Sequence, residues 1–123
     1  MATNSKELQE ILNHMKGVNL YRVILFGSVA SGQQHADSDI DLLVVTDDEF
    51  YPQTYQERSD LYLKVSDTLT EVAGRIPIDL IVFTKSMYQR FVQLGSLFSK
   101  EILQNGVVLY ETNHTGMAGQ SKG

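Results

Sequence analysis

Two apolar runs rich in strand formers, Leu20-Tyr-Arg-Val-Ile-Leu-Phe26 and Asp39-Ile-Asp-Leu-Leu-Val-Val45, are separated by only the twelve residues 27–38. Both runs read as strands. The link, Gly-Ser-Val-Ala-Ser-Gly-Gln-Gln-His-Ala-Asp-Ser, is small and polar. It reads as a turn, a short helical piece and a loop. Two neighbouring parallel strands need a crossover long enough for a full helix. This link is too short for one, so the two runs are expected to pair antiparallel.

The rest of the chain supplies further elements. Asn4 with Glu7 three residues on resembles a capping box. Leu8, Ile11, Leu12 and Met15 then follow at helical spacing, and Gly17 ends the helix. A second helix is expected over about 53–73, with Leu61, Val65, Leu69 and Val72 on one face and Gly74 at its end. Pro77 introduces a third strand, Ile78-Asp-Leu-Ile-Val-Phe83. Thr84 or Ser86 caps a helix expected to run to about residue 104, with Phe91, Leu94, Phe98 and Ile102 facing inward. Asn105-Gly106 stops it, and Val107-Val-Leu-Tyr110 is a short last strand. This order predicts an α/β (α+β) domain, a small mixed β-sheet flanked by helices. Residues 1–111 are expected as the one domain, and the polar, aperiodic residues 112–123 as a disordered tail.

Composition narrows the function classes. The chain has 123 residues, of which 42% are hydrophobic and 20% charged, a globular balance. There is no cysteine, which removes disulfides, thiolate metal sites and a cysteine nucleophile together. No apolar run approaches the ~20 residues of a membrane helix, and the polar start is no signal peptide. A cytoplasmic protein without membrane attachment is expected. The net charge of −5 argues against extended nucleic-acid binding and fits a metal site or a basic protein partner.

Three features carry chemistry. Gly27-Ser28 follows a strand; glycine lets a ligand approach the backbone, and a serine hydroxyl with helix-start N–H groups can hold phosphate. Asp39 and Asp41 flank Ile40 at strand spacing, so both carboxylates fall on one face, about 7 Å apart along the chain. Ile40, Leu42 and Val44 point the other way, toward a core. Asp79 stands in an otherwise apolar strand. The plain alternatives are an exposed acidic strand end for the pair and a solvent-facing carboxylate for Asp79. If the second and third strands are neighbours, the three acids form one cluster, whose repulsion divalent cations would relieve. Two such ions about 3.5–4 Å apart can clamp an in-line phosphoryl displacement.

Competing motifs fail on particular residues. Gly27 and Gly32 mimic the start of a P-loop, but Gln33-Gln34 stand where Lys-Ser/Thr is required. Asp37-x-Asp39-x-Asp41 mimics an EF-hand, but Leu42 replaces its glycine and Asp48 its bidentate glutamate. His14, His35 and His114 lack metal-ligand spacing; His35 reads as a loop residue that a nucleotide can reach. Asp47-Asp48-Glu49 reads as a solvated loop or a contact for a basic partner. Lys85, just after the third strand, is a candidate phosphate contact.

The string Gly27-Ser28, ten residues, then Asp39-Ile40-Asp41-Leu42 resembles the signature of the DNA polymerase beta-type nucleotidyltransferase superfamily. The fuller pattern Gly-Ser-x-Ala-x-Gly…Ser-Asp-x-Asp-Leu is similar to its smallest members, the MNT-type minimal nucleotidyltransferases, antitoxins paired with HEPN-domain toxins. The likeness runs from about Leu20 to Tyr110, with the downstream strand acid and the Gly-Val-Val-Leu-Tyr ending. It implies the nucleotidyltransferase fold and a nucleoside triphosphate substrate, most readily ATP, held by Gly27 and Ser28. Asp39 and Asp41 would bind two Mg²⁺ ions. Asp79 would hold the catalytic ion and help activate the attacking hydroxyl, so the three acids are the implied catalytic residues. AMP would pass to a hydroxyl of a partner protein, a HEPN toxin. Ser31 departs from the family, whose members often carry a basic residue there, which puts triphosphate contacts in question. Two alternatives stay open: a non-catalytic nucleotide-binding subunit, and a small-molecule transferase of the antibiotic-modifying kind acting as a dimer. Assembly with itself or with a partner is open as well.

Overall fold

The two apolar runs fold as β1 (Leu20–Phe26) and β2 (Ile40–Thr46) and pair antiparallel, in a computed structural model that describes residues 5–27 and 39–112. The Asn4 cap, Ser28, Ser31, His35, the expected short helical piece, His114 and residues 113–123 of the expected tail lie outside the described residues. Helix α1 (Ser5–His14) precedes β1. After β2 come α2 (Tyr55–Ser66), a single 3₁₀ turn (Asp67–Leu69) and α3 (Thr70–Ala73). Strand β3 (Ile78–Phe83) follows, then α4 (Lys85–Leu94), α5 (Leu97–Asn105) and β4 (Val107–Glu111). Beyond β4, the Thr112 N–H donates to the Tyr21 carbonyl at 3.0 Å. No helix among the described residues is long and apolar enough to cross a membrane.

The sheet order is β3-β2-β1-β4. β1 is antiparallel to both β2 and β4, whereas β2 and β3 run parallel, so the sheet is mixed. The parallel pair is possible because α2 to α3 form a crossover of sufficient length.

Both faces of the sheet are covered. On one face Val23, Leu25, Leu42, Val44 and Val82 pack against Leu8, Ile11 and Met15 and against Leu61, Val65, Leu69 and Val72. On the other, Ile24, Leu43 and Val45 pack against Tyr88 of α4 and Ile102 of α5. Burying each such side chain stabilises the fold by about 1.5–3 kcal/mol. The face opposite Ile40, Leu42 and Val44 is therefore a second core, and at its acid-bearing end Asp39 and Asp79 are exposed. The Asp41 side chain ends an apolar row that continues through Leu43 and Val45.

Two expected helices are each divided. The helix expected over 53–73 starts at Tyr55, where the Thr54 side chain accepts from the Glu57 N–H at 3.1 Å, and tightens into the 3₁₀ turn at Asp67. The helix expected to reach residue 104 breaks at Gly95, which takes the left-handed conformation at φ 60°. Ser96 then caps α5 by accepting from the Ser99 N–H at 3.1 Å. Glycine after one helix and serine before the next are ordinary stop and start signals. The consequence is that Leu94 and Phe98, expected inside, are exposed, while Ile102 is buried as expected.

Candidate active site

The chain order brings three separate segments to one end of the sheet. β1 ends there at Phe26, and β2 and β3 begin there, because β1 is antiparallel to β2 and β3 is parallel to it. Register then decides which side chains meet. Phe26 lies opposite Asp41, and Asp41 lies opposite Asp79 on the far side. The Ile40 N–H donates to the Pro77 carbonyl at 2.9 Å, tying the first residue of β2 to the residue that introduces β3. Neighbouring strands are ~4.8 Å apart, so Asp41 and Asp79 are adjacent on the same face. Asp39, exposed, stands just before β2.

Gly27 closes the group. Its φ of +80° belongs to the left-handed region that favours glycine. A Cβ built on it would stand 3.0 Å from Asp41 Cγ and closer still to Oδ2. The space a side chain would need at Gly27 is filled by the Asp41 carboxylate. Sequence reasoning assigned that glycine to ligand approach alone; its contact with Asp41 follows from the Phe26–Asp41 register.

The electrostatics follow from this crowding. Burial first, then the charge of Asp79, then that of Asp39, push the Asp41 carboxyl above the ordinary carboxylate range. No cation among the described residues offsets the three acids through an ion pair. No three His, Cys, Asp or Glu side chains among the described residues close into a metal cage. The donor set nevertheless fits Mg²⁺, which takes hard oxygen ligands through one or two carboxylates plus substrate phosphates. A cation there would relieve the repulsion that Asp41 feels.

Two sequence candidates lie elsewhere. Lys85 follows the opposite end of β3, and its Nζ pairs with Asp47 at 2.8 Å and Glu49 at 3.0 Å. Hydrogen bonds to Asp47 and then Glu49 raise its pKa. The six residues of β3, at ~3.3 Å each, separate it from the acids, so it is no phosphate contact at this site. Asp47, Asp48 and Glu49 are likewise not a merely solvated loop: Lys64 holds Asp48 at 2.9 Å, and the Asp48 carbonyl accepts from the Lys85 N–H. A concavity of about 450 Å³ lined by Tyr21, Arg22, Lys85 and Tyr88 also lies at that far end. It holds no carboxylate of the group, and Arg22 is already bound to Glu111 at 2.7 Å.

Known proteins are similar to this chain in sequence and in fold. The model of the family described as polymerase beta, nucleotidyltransferase matches residues 6–115. A protein of Methanocaldococcus jannaschii, provisionally named a protein adenylyltransferase, is 36% identical over 92 residues, 71% of this chain and 85% of that protein. A second protein of that organism, named in the same way, is 29% identical over 108 residues, 85% of this chain and 96% of its own length. A chain of a toxin–antitoxin structure with AMP-PNP matches with a TM-score of 0.52 at 20% identity, covering 94% of this chain and 80% of that one. A Sulfolobus solfataricus protein, provisionally described as a nucleotidyltransferase, matches at 0.51 and 24%, covering 86% and 75%. At these identities the two structural likenesses establish the fold.

Proposed function

The chain belongs to the polymerase beta nucleotidyltransferase family, and on that premise we propose that it moves AMP from ATP to a hydroxyl of a partner protein. In this reading it is a Mg²⁺-dependent cytoplasmic antitoxin whose partner is a HEPN-domain toxin. The observation that carries the reading is the register that sets Asp41 beside Asp79, with the Asp41 carboxylate against Gly27. The naming of the two Methanocaldococcus relatives supports a protein acceptor, and the toxin–antitoxin fold neighbour supports the pairing.

The residues divide the work as follows. Gly27 has no side chain, so a triphosphate can approach its backbone, and Ser28 donates its hydroxyl to a phosphate oxygen. Asp39, Asp41 and Asp79 would hold two Mg²⁺ ions, which when bound neutralise charge on the triphosphate. Asp79 orients the acceptor hydroxyl and takes its proton on a carboxylate oxygen. The hydroxyl oxygen bonds to the α-phosphorus as the bond to the bridging oxygen breaks, and pyrophosphate leaves. Positioning and preorganised charge supply most of the acceleration.

Intact-protein mass spectrometry tests this. The chain is co-expressed with the protein encoded beside it, and the purified pair is given Mg-ATP, in wild-type form and with Asp39→Asn. A partner mass raised by whole AMP units with the wild type alone is the expected result. A stable complex with no mass change would refute the transfer and favour a non-catalytic binding subunit.

A further inference from the structure

The face of the sheet that carries Asp41 and Asp79 is roofed by α4 and α5, and the turn joining them is apolar and exposed. Leu94 is 65% exposed, Leu97 87% and Phe98 46%, all within five residues. Single exposed apolar side chains are ordinary, but three large ones on one turn mark an interaction surface. Gly95 and Ser96 produce the exposure by turning the chain between the helices.

The place of this turn says what it meets. The Phe98 ring packs edge-on against Phe26, with centroids 5.7 Å apart, and against Phe91 at 5.8 Å. Phe26 lies directly opposite Asp41. Opposed side chains of an antiparallel pair have Cβ atoms about 4.5–5.5 Å apart, so Phe26 is the common neighbour of Phe98 and Asp41. The apolar turn and the acids therefore adjoin through one side chain.

We infer that the α4–α5 turn is the acceptor-docking element of the transferase, with Leu94, Leu97 and Phe98 packing into an apolar groove of the acceptor protein near its hydroxyl. The inference rests on the transferase reading above. A protein acceptor must bring its hydroxyl to a phosphorus held at Asp41. In an extended segment, residues two or three positions on lie about 7–10 Å away, enough to reach past the single intervening side chain of Phe26. A nucleobase is a poorer occupant. It needs walls on both faces of a flat ring, whereas Leu97 protrudes almost fully into solvent. A protruding apolar knob suits the groove of a protein surface.

The test is the double substitution Leu94→Ser with Leu97→Ser, assayed in the full chain with the neighbouring-gene protein as acceptor. Both positions are exposed, and an unchanged Tm verifies the fold. The acceptor KM should rise roughly tenfold or more, while the ATP KM and slow AMP formation with water as acceptor stay within about twofold. Leu94→Met with Leu97→Met should restore the acceptor KM. An unchanged acceptor KM overturns the inference. So does a raised ATP KM, which would make the turn a nucleotide wall. Loss of a homodimer with unchanged acceptor KM overturns it too, in favour of a contact between copies. If the wild type transfers no AMP at all, the transferase reading fails first and the docking inference falls with it.

Discussion

Replacing Gly27 by alanine separates backbone strain from side-chain crowding at the acids. At φ +80°, an L-residue pays about 1–2 kcal/mol for the left-handed conformation. The added methyl also enters the space of the Asp41 carboxylate, whose Cγ would lie 3.0 Å away. That carboxylate stands between Phe26 on one strand and Asp79 on the other, so a sideways displacement brings it toward an apolar ring or a like charge. The crowding should add about 1 kcal/mol, within the range of interaction energies for residues in contact. In an Asp41→Ala background the crowding vanishes and only the strain remains. Thermal and urea unfolding of the four proteins closes the cycle, and 1 kcal/mol corresponds to ~4–8 °C in a small domain. The expected coupling is therefore a larger Tm loss for Gly27→Ala beside Asp41 than beside Ala. AMP transfer by Gly27→Ala should fall about 100-fold, as misplacement by ~1 Å does elsewhere. Equal costs in the two backgrounds would refute the crowding, and no cost in either would refute the strained glycine as well.

The acids give a pH signature. The folded Asp41 carboxyl lies above its unfolded value, so its stabilising contribution is present below the ordinary carboxylate range and is lost as pH rises through the raised value. Asp41→Asn should accordingly be more stable than wild type at pH 7, and unfolding curves at successively lower pH should converge. Curves that keep a constant separation would contradict the burial and the Asp79 repulsion together. Mg²⁺ should raise the Tm of the wild type, by about 2.7 kcal/mol of stability at 100 times its Kd, and chelation should reverse it. The same titration on Asp41→Asn should be nearly flat, and an undiminished shift would place the ion elsewhere. Lys85→Gln should leave the ATP KM unchanged in a transfer assay, because Lys85 pairs with Asp47 and Glu49 at the far end of the sheet. It should lower the Tm, because the Lys85 side chain is only 18% exposed and its loss takes the cation away from the largely buried Asp47 carboxylate. A raised ATP KM would return Lys85 to the list of phosphate contacts.

Much of the fold was legible because local rules sufficed. Residues 20–26 and 78–83 are continuous runs of strand formers with turn residues at their borders, and both are strands over those spans. The short link between the first two strands excluded a parallel pair, and they are antiparallel. The single helix expected from Thr84 or Ser86 to about residue 104 is two helices, and the sequence hides the division because hydrophobic spacing continues across Gly95-Ser96. A periodic pattern does not register a break when the residues on both sides keep the phase. The local signal was the glycine–serine pair itself, and Gly95 at φ 60° is where the chain turns. Missing it put Leu94 and Phe98 inside, where exposure shows them outside.

The acids divide along the same line. By itself the sequence determined that Asp39 and Asp41 stand two residues apart where the second strand begins, that Gly27 follows the strand before them, and that Asp79 is an isolated acid among apolar neighbours. These are properties of adjacent residues, set by alternation along a strand and by the conformational reach of glycine. Only the tertiary structure decided that β3 lies beside β2 in a register that opposes Asp79 to Asp41. It alone put Phe26 on the other flank, filled the side-chain space of Gly27 with a carboxylate, and sent Lys85 to the far end. Strand order and register depend on contacts between segments dozens of residues apart. A slip of one residue would turn every side chain to the other face, so the packing of both cores, and no local pattern, holds the acids together.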